Sequence, residues 1–301
     1  MIQRETLLVL GAGASVPYGF PDGHTLAQQI WNKLSETVED PLKLQLQECG
    51  FELKEIYEFK KELQLSHQPS VDAFLENRQE YINIGKAAIA AKLIPYELLQ
   101  VLDREGGGLK WYEYLFNQMS GSRNDFEKNN LSIVTLNYDR SLEYFLFRAL
   151  KHSYGLIDNE AVDLLKSIPI IHLYGQLGKP DFYDKTGRPF TPEVSQVNIK
   201  KCIDEIQIFH ELVEDSAELK EARELVSKSE ILCFLGFGYH PENIKRLSIN
   251  ESFKGINMLG SVYQFGKNEI NQVHTLLKGR IRFGANNENA LQFLRNHPVF
   301  S

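Results

Sequence analysis

The sequence predicts an α/β fold in which a parallel sheet is flanked by helices. Two observations in the 301 residues predict it: short apolar runs recur, and each is followed by a stretch with helical character. Strands that are apolar throughout are typical of a parallel sheet covered on both faces. The predicted strands are Thr6–Leu10, Leu131–Leu136, Ile168–Leu173, Ile231–Leu235 and Ile256–Val262.

Right-handed crossovers between such strands give a Rossmann-like sheet. The stretch between the first and second strands reads as helical, with no clear strand, and predicts a large helical insertion. We therefore expect a single domain over residues 1–301, with a helical insertion or subdomain over residues 24–128. Its predicted helices are His24–Glu36, Leu42–Glu48, Leu53–Leu65, Val71–Asp103 with a break near Pro95, and Lys110–Met119, with a flexible joint at 106–108.

The first strand runs directly into a glycine-rich turn at Gly11 and Gly13, followed by a predicted helix. Glycine lets the backbone turn sharply and approach a ligand, and a helix N-terminus favours phosphate. The strict dinucleotide fingerprint is incomplete, because Val16 replaces its third glycine and no acidic strand end follows about 20 residues later. The turn therefore predicts a phosphate site or, alternatively, only a tight connection between strand and helix.

The second strand ends in the sequence TLNYD, residues 135–139. Ligands of open parallel sheets collect at the carboxyl ends of the strands, so Asn137 is expected in the same crevice as the glycine turn. A carboxamide donates and accepts hydrogen bonds and stays neutral beside a developing cation. The alternative is that Asn137 only caps a helix beginning at Tyr138.

The third strand ends in IHLYG, where side chains alternate so that His172 and Tyr174 are expected to share a face. An imidazole titrates near neutral pH and suits a general base. The alternatives are that His172 is a core residue with satisfied hydrogen bonds, or that Tyr174 takes the role. The following segment, Lys179–Pro192, is rich in Gly, Pro, Asp and Lys and predicts an exposed loop.

The fourth strand leads into GFGYHPEN, a second glycine turn that feeds a helix with Pro241 near its start. The alternative is that the turn only lets strand and helix pack closely. This would explain why residue 236 is a glycine, but explains less readily why residue 238 is a glycine too. Another predicted helix starts at Ser70 as N-cap, in the sequence SVDAFLE. A terminal amphipathic helix is predicted at Leu291–Arg295.

Composition excludes several classes of protein. A net charge of −7 argues against a broad nucleic-acid surface. No apolar run approaches the roughly 20 residues of a membrane helix, and no secretory pattern opens the chain, so we expect a cytoplasmic protein. The three cysteines, Cys49, Cys202 and Cys233, form no CxxC pair, and the histidines show no ligand spacing. No metal site is therefore expected.

Four segments occur in the order GAGAS with GFPD, TLNYD, IHLYG and GFGYHPEN, across residues 11–243. Together they resemble the sirtuin-like NADase domains of bacterial anti-phage defence systems. In one respect the chain departs from that family, which usually has a histidine immediately before the glycine where this chain has Tyr174. Whether His172 or Tyr174 is the catalytic group stays open.

The resemblance implies hydrolysis of NAD, as substrate, to nicotinamide and ADP-ribose. It implies Asn137 and His172 as catalytic residues. The residues it implies for binding NAD are Gly11, Ala12, Gly13, Ser15, Pro21, Asp22, Asp139, Tyr174, Gly175, Gly236, Gly238, Asn243 and Ser261.

The resemblance also implies a toxic effector that is activated by homo-oligomerisation or by a separate sensor protein, which could be related to nucleotide pyrophosphatases. One alternative is a subunit that binds NAD or ADP-ribose without catalysis, suggested by Tyr174. A protein deacylase is disfavoured, because deacylating sirtuins carry a four-cysteine zinc ribbon. The sequence leaves open the choice between NAD and its phosphorylated relative.

Overall fold

A six-stranded sheet forms the centre of the molecule, and the computed structural model describes residues 1–32, 40–103, 109–119, 121–208 and 216–300. All strand pairs are parallel, in the order β3-β2-β1-β4-β5-β6. The strands are β1 (Thr6–Leu10), β2 (Leu131–Thr135), β3 (Ile170–His172), β4 (Ile231–Leu235), β5 (Asn257–Gly260) and β6 (Ile281–Phe283). This strand order is that of the Rossmann fold, which confirms the predicted class.

Both faces of the sheet are buried, which explains why the strands are apolar throughout. Along β1, Leu7 and Val9 enter one hydrophobic cluster, whereas Leu8 and Leu10 enter the cluster on the opposite face. Helices before and after β2 cover these faces. The helices are α1 (Gly23–Trp31), α2 (Pro41–Glu48), α3 (Leu53–Leu65), α4 (Val71–Asn77), α5 (Ile82–Leu93), α6 (Leu99–Leu102), α7 (Trp111–Met119), α8 (Ser141–Tyr154), α9 (Asp158–Leu165), α10 (Gln196–Glu205), α11 (Ala217–Lys228), α12 (Pro241–Arg246), α13 (Ile249–Ser252), α14 (Lys267–Leu276) and α15 (Ala290–Asn296).

The described residues between β1 and β2 form helices α1–α7 and 3₁₀ turns, without a strand. The prediction of one helix over Val71–Asp103 with a single break is wrong, because the chain also leaves the helix after Asn77. A 3₁₀ turn at Ile94–Tyr96 gives the break predicted near Pro95. The predicted joint at 106–108 and the end of the first predicted helix lie outside the described residues.

The edge strand β6 was missed by the sequence prediction of five strands. It has only three residues, and its central Arg282 is exposed, so no apolar run marks it. The other strands were predicted to within three residues at either end. Short edge strands carry little sequence signal, because only one side of the strand is paired.

The segment after β3 is a loop, as its composition predicted, and most of its residues are exposed, but part of it is anchored in the core. Arg188 and Phe190 are buried within it, although its tip around Asp184 is exposed. Arg188 is fully buried because Glu97, also fully buried, accepts a hydrogen bond from its guanidinium at 2.5 Å. Burial of a charge is tolerated where an opposite charge compensates it, and this pair anchors the segment.

Arg140 completes a buried cluster of three charges. Its guanidinium donates to both carboxylate oxygens of Glu97, at 2.8 Å each, and to the backbone carbonyl of Arg188 at 2.7 Å. Further bonds reach the carbonyl oxygen of Gly178. The cluster therefore ties the helical segment before β2 to the chain that follows β2 and β3.

Candidate active site

A cleft of about 270 Å³ lies at the carboxyl edge of the sheet, between the ends of β1 and β4. Here the strand order reverses, which is where open α/β sheets bind their ligands. The wall joins residues of the four sequence segments: Gly11, Ala12, Asn137, Tyr174, Gly238 and Asn243. Four stretches that are distant in sequence therefore meet at one site.

The two glycine turns lie against each other at the floor of this cleft. The backbone N–H of Gly13 donates to the carbonyl oxygen of Gly236 at 3.0 Å. A Cβ on Gly11 would lie 2.5 Å from that oxygen, and one on Gly13 would lie 2.9 Å from the Gly236 Cα. Close packing of the turns thus requires these three glycines, whereas a Cβ on Gly238 would meet no atom within 4 Å. Gly238 is the glycine of the cleft that the protein's own packing does not explain.

The helix predicted from His24 is found from Gly23, but it does not follow the first glycine turn directly. Two 3₁₀ turns follow, Ala12–Ala14 and Val16–Tyr18, and α1 begins only at Gly23. Asp22 is the N-cap of α1, where its carboxylate accepts from the N–H of Thr25 at 2.7 Å. Any anion bound at the turn would therefore be met by individual backbone N–H groups and not by a helix terminus.

Asn137 is half-buried in the cleft wall, and hydrogen bonds fix its side chain there. Its Nδ2 donates to the carbonyl oxygen of Gly11 and to the hydroxyl of Ser15, both at 3.0 Å. Helix α8 starts at Ser141, so the interpretation of Asn137 as the cap of a helix at Tyr138 is wrong. Within the described residues, the Asn137 Oδ1 has no hydrogen-bond partner, which leaves an acceptor for a ligand.

Ser15 and Asp139 support Asn137 from the buried side. The Ser15 hydroxyl donates to Asp139 Oδ2 at 2.6 Å, and Asp139 Oδ1 accepts from the backbone and the hydroxyl of Ser141. Burial raises the pKa of Asp139, while the hydrogen bonds from Ser141 and Ser15 act in the opposite direction. Both side chains line a smaller pocket of about 80 Å³ beside the cleft, together with Pro21.

His172 lies behind Asn137 and is not part of the cleft wall. Its Nδ1 is 2.9 Å from the backbone carbonyl oxygen of Asn137, and its Nε2 contacts Glu143 Oε1. A carbonyl only accepts, so Nδ1 carries a proton. The side chain is 8% exposed and that of Glu143 5%. Burial lowers the pKa of His172, but the Glu143 carboxylate, the Asn137 carbonyl and the Asp139 charge together outweigh burial and raise the pKa. Both ring nitrogens are therefore engaged by protein groups, and the raised pKa lets the cationic form persist to higher pH than in a free imidazole.

Tyr174 stands at the mouth of the cleft, beyond the end of β3. Its hydroxyl donates to Asn243 Oδ1 at 2.5 Å. Burial raises the pKa of Tyr174 well above its usual value, so the phenol stays neutral at physiological pH. Gly175 has φ +71°, and a Cβ there would lie 1.8 Å from the Glu205 carbonyl oxygen. Packing against the end of α10 explains this glycine.

Ser261 is buried behind the second glycine turn. Its hydroxyl accepts from the N–H of Gly236 at 2.9 Å, and its carbonyl accepts from the hydroxyl of Tyr239 at 3.1 Å. It supports the turn without lining the cleft.

Five polar side chains of the cleft wall were not among the predicted site residues: Ser70, Asp72, Glu76, Tyr138 and His240. Asp72 lies in the first turn of α4, and its carboxylate accepts from the hydroxyl of Tyr138. The N-cap Ser70 fixed the start of this helix in the sequence, but a capped amphipathic helix explained the segment equally well, so Asp72 was not predicted as a site residue.

Among the described residues, no group of three or more His, Cys, Asp or Glu side chains could hold a metal ion. No helix in the described part of the chain is both long and apolar enough to cross a membrane. No protein-family model matches the chain, and neither does any curated protein.

Proposed function

We propose that the chain is a NAD hydrolase that cleaves the bond between nicotinamide and ribose, releasing nicotinamide and ADP-ribose. One observation carries the proposal: four segments distant in sequence converge on one cleft at the point where the strand order reverses. Sheets of this order bind dinucleotides there. The cleft and its neighbouring pocket have the scale of small-molecule sites, roughly 300–1,000 Å³.

Asn137 is the residue we assign to the ribose. Its Nδ2 donates to the Gly11 carbonyl and the Ser15 hydroxyl, so the amide is held in one orientation, and the residue lines the cleft. An acceptor at this place can bind a ribose hydroxyl or the attacking water. The side chain remains neutral as positive charge develops on the sugar, and it therefore needs no compensating ion.

His172 takes a positioning role in this proposal and not that of the base implied by the resemblance. Its Nδ1–H holds the backbone carbonyl of Asn137, and Glu143 holds its other nitrogen. An imidazole with both nitrogens bonded to protein groups has no free lone pair to receive a proton from the substrate. It can still fix Asn137 to the accuracy that catalysis requires.

A second candidate function is a subunit that binds NAD or ADP-ribose without cleaving it. The engaged ring nitrogens of His172 favour it, as does Tyr174, whose hydroxyl is bonded to Asn243. Nicotinamide release separates the two functions, since only the hydrolase produces it.

The resemblance extends the proposal to the biological setting. There, NAD depletion serves anti-phage defence, and the activity waits for homo-oligomerisation or for a sensor protein, which could be related to nucleotide pyrophosphatases. The test therefore includes the product of the neighbouring gene.

The experiment incubates the full chain, alone and with that product, with NAD and measures free nicotinamide. We expect release from the active assembly and its loss in Asn137→Ala. Asn268→Ala, an exposed change of the same kind on α14, is the matched control and should release nicotinamide at the unaltered rate. Tight NAD binding without release would support the binding subunit, and turnover of acetyl-lysine peptides would support a deacylase.

A further inference from the structure

Asp72 connects the helical segment before β2 to the cleft. Its helix α4 starts at Ser70, whose hydroxyl accepts from the N–H of Ala73 at 3.2 Å. The N-cap sets Asp72 in the first turn, and the side chain lines both the cleft and the smaller pocket beside it. Asn137 also lines both. Asp72 and Asn137 therefore both border the two pockets.

Tyr138 fixes the position of this carboxylate relative to Asn137. The hydroxyl of Tyr138 donates to Asp72 Oδ1, and Tyr138 is the residue directly after Asn137. The two functional groups are thus linked through one hydrogen bond and one peptide unit.

The charge of the cleft suits the cationic nicotinamide ring of a bound dinucleotide. Among the described residues that line it, none is lysine or arginine, whereas Asp72 and Glu76 are acidic. The nicotinamide ring of NAD is cationic, and the positive charge moves to the ribose as the bond breaks. Negative groups aimed at such developing charge stabilise the transition state.

We infer that Asp72 is the catalytic carboxylate of this cleft, an inference that rests on the proposed function. Water attacks C1′ of the ribose while the bond from C1′ to the ring nitrogen breaks, and its electron pair stays on nicotinamide, which leaves neutral. The proton of the water passes to Asp72 and then to solvent. The products are nicotinamide, ADP-ribose and one proton, which balances the reaction of NAD with water.

The surroundings of Asp72 suit a role as general base. Burial raises the pKa of Asp72, and the hydrogen bond from Tyr138 acts in the opposite direction. A base is more effective as its pKa approaches the working pH. The other titratable groups on the cleft wall are Glu76 on the same helix, Tyr174 after β3 and His240 before α12.

The test compares Asp72→Asn with Asp163→Asn, an exposed aspartate on α9. Asparagine retains an acceptor for Tyr138, so folding is preserved, and a thermal melt checks this. We expect nicotinamide release to fall at least about 100-fold in Asp72→Asn with NAD affinity little changed, because general bases contribute about 10²–10⁴-fold. Asp163→Asn should match the wild type.

Tyr138→Phe gives a second readout that a purely structural role would not move. Loss of the hydrogen bond from Tyr138 should raise the pKa of Asp72 and shift the acid limb of the rate profile to higher pH. Full activity of a folded Asp72→Asn, or an unmoved acid limb in Tyr138→Phe, overturns the role of Asp72 and leaves the NAD hydrolase standing. An active assembly that releases no nicotinamide overturns both.

Discussion

His172 Nδ1 lies 2.9 Å from the backbone carbonyl oxygen of Asn137, and this contact joins the imidazole to the cleft through the main chain. The imidazole itself does not line the cleft wall. His172 and Asn137 therefore act as one unit, in which the histidine sets the place of the asparagine.

Substitutions of His172 distinguish positioning from proton transfer. The Nδ2 of asparagine can replace Nδ1 as donor to the Asn137 carbonyl, whereas alanine cannot. We expect His172→Ala to lower the rate of nicotinamide release about 100-fold and His172→Asn to stay within about tenfold of the wild type, since small misplacements have effects of this size. If both variants fold and neither releases nicotinamide, His172 acts as the base and not only as a positioning residue.

The ion pair of His172 with Glu143 makes stability depend on pH. The folded-state pKa of His172 is raised, so the pair stabilises fully below the unfolded pKa of about 6.5 and loses its contribution as the pH rises through the folded pKa. Each unit by which the folded pKa is raised corresponds to about 1.4 kcal/mol. The free energy of unfolding, measured between about pH 5 and 9, should fall across this window in the wild type.

Glu143→Gln is the comparison, because it removes the charge and keeps the size of the side chain. Its unfolding free energy should be lower than that of the wild type at the acidic end, and the difference should narrow as the pH rises. A difference that is constant with pH would show that His172 does not change its charge in this range.

The buried cluster of Glu97, Arg140 and Arg188 predicts a large effect on stability. Glu97→Gln leaves two buried guanidinium groups without a counter-charge, and such a loss costs about 3–5 kcal/mol. Denaturant unfolding measures it. Glu224→Gln removes an exposed ion pair with Lys228 and should change stability by less than about 1 kcal/mol. Similar small effects in both variants would contradict the role given to the cluster.

Alanine substitutions at the two glycines of the second turn should differ in their effect on stability. Gly236 has φ +59°, and a Cβ there would lie 2.0 Å from the backbone nitrogen of Ala14, so Gly236→Ala combines overpacking of about 1–3 kcal/mol with a left-handed backbone. Gly238→Ala should leave the melting temperature unchanged. If NAD approaches this turn closely, Gly238→Ala will weaken NAD binding, and calorimetry measures that change.

The sequence predicted the sheet well because its strands are continuous apolar runs with clear ends. The bounds of β1 and β4 were predicted correctly, since both run directly into glycine turns. Strand β6 could not be recognised in three residues around an arginine. Periodicity reports burial, and an edge strand is only partly buried.

The site was harder to predict, because its contacts join residues far apart in the chain. The composition of its segment predicted that Arg188 lies in an exposed loop. Only its contact with Glu97, 91 positions earlier, explains why it is buried. Asp72 likewise acquires its place in the cleft from the packing of α4 beside Tyr138. The motifs indicated where the ligand edge lies, but not which side chains face it.

The charge cluster also decides whether the chain can be divided. Glu97 belongs to the segment between β1 and β2, while both arginines follow later strands. A shortened version without that segment would keep the two positive groups and lose the carboxylate that neutralises them. We therefore expect that the helices cannot be removed as a module. A segment exchanged into this place would have to supply a carboxylate equivalent to that of Glu97.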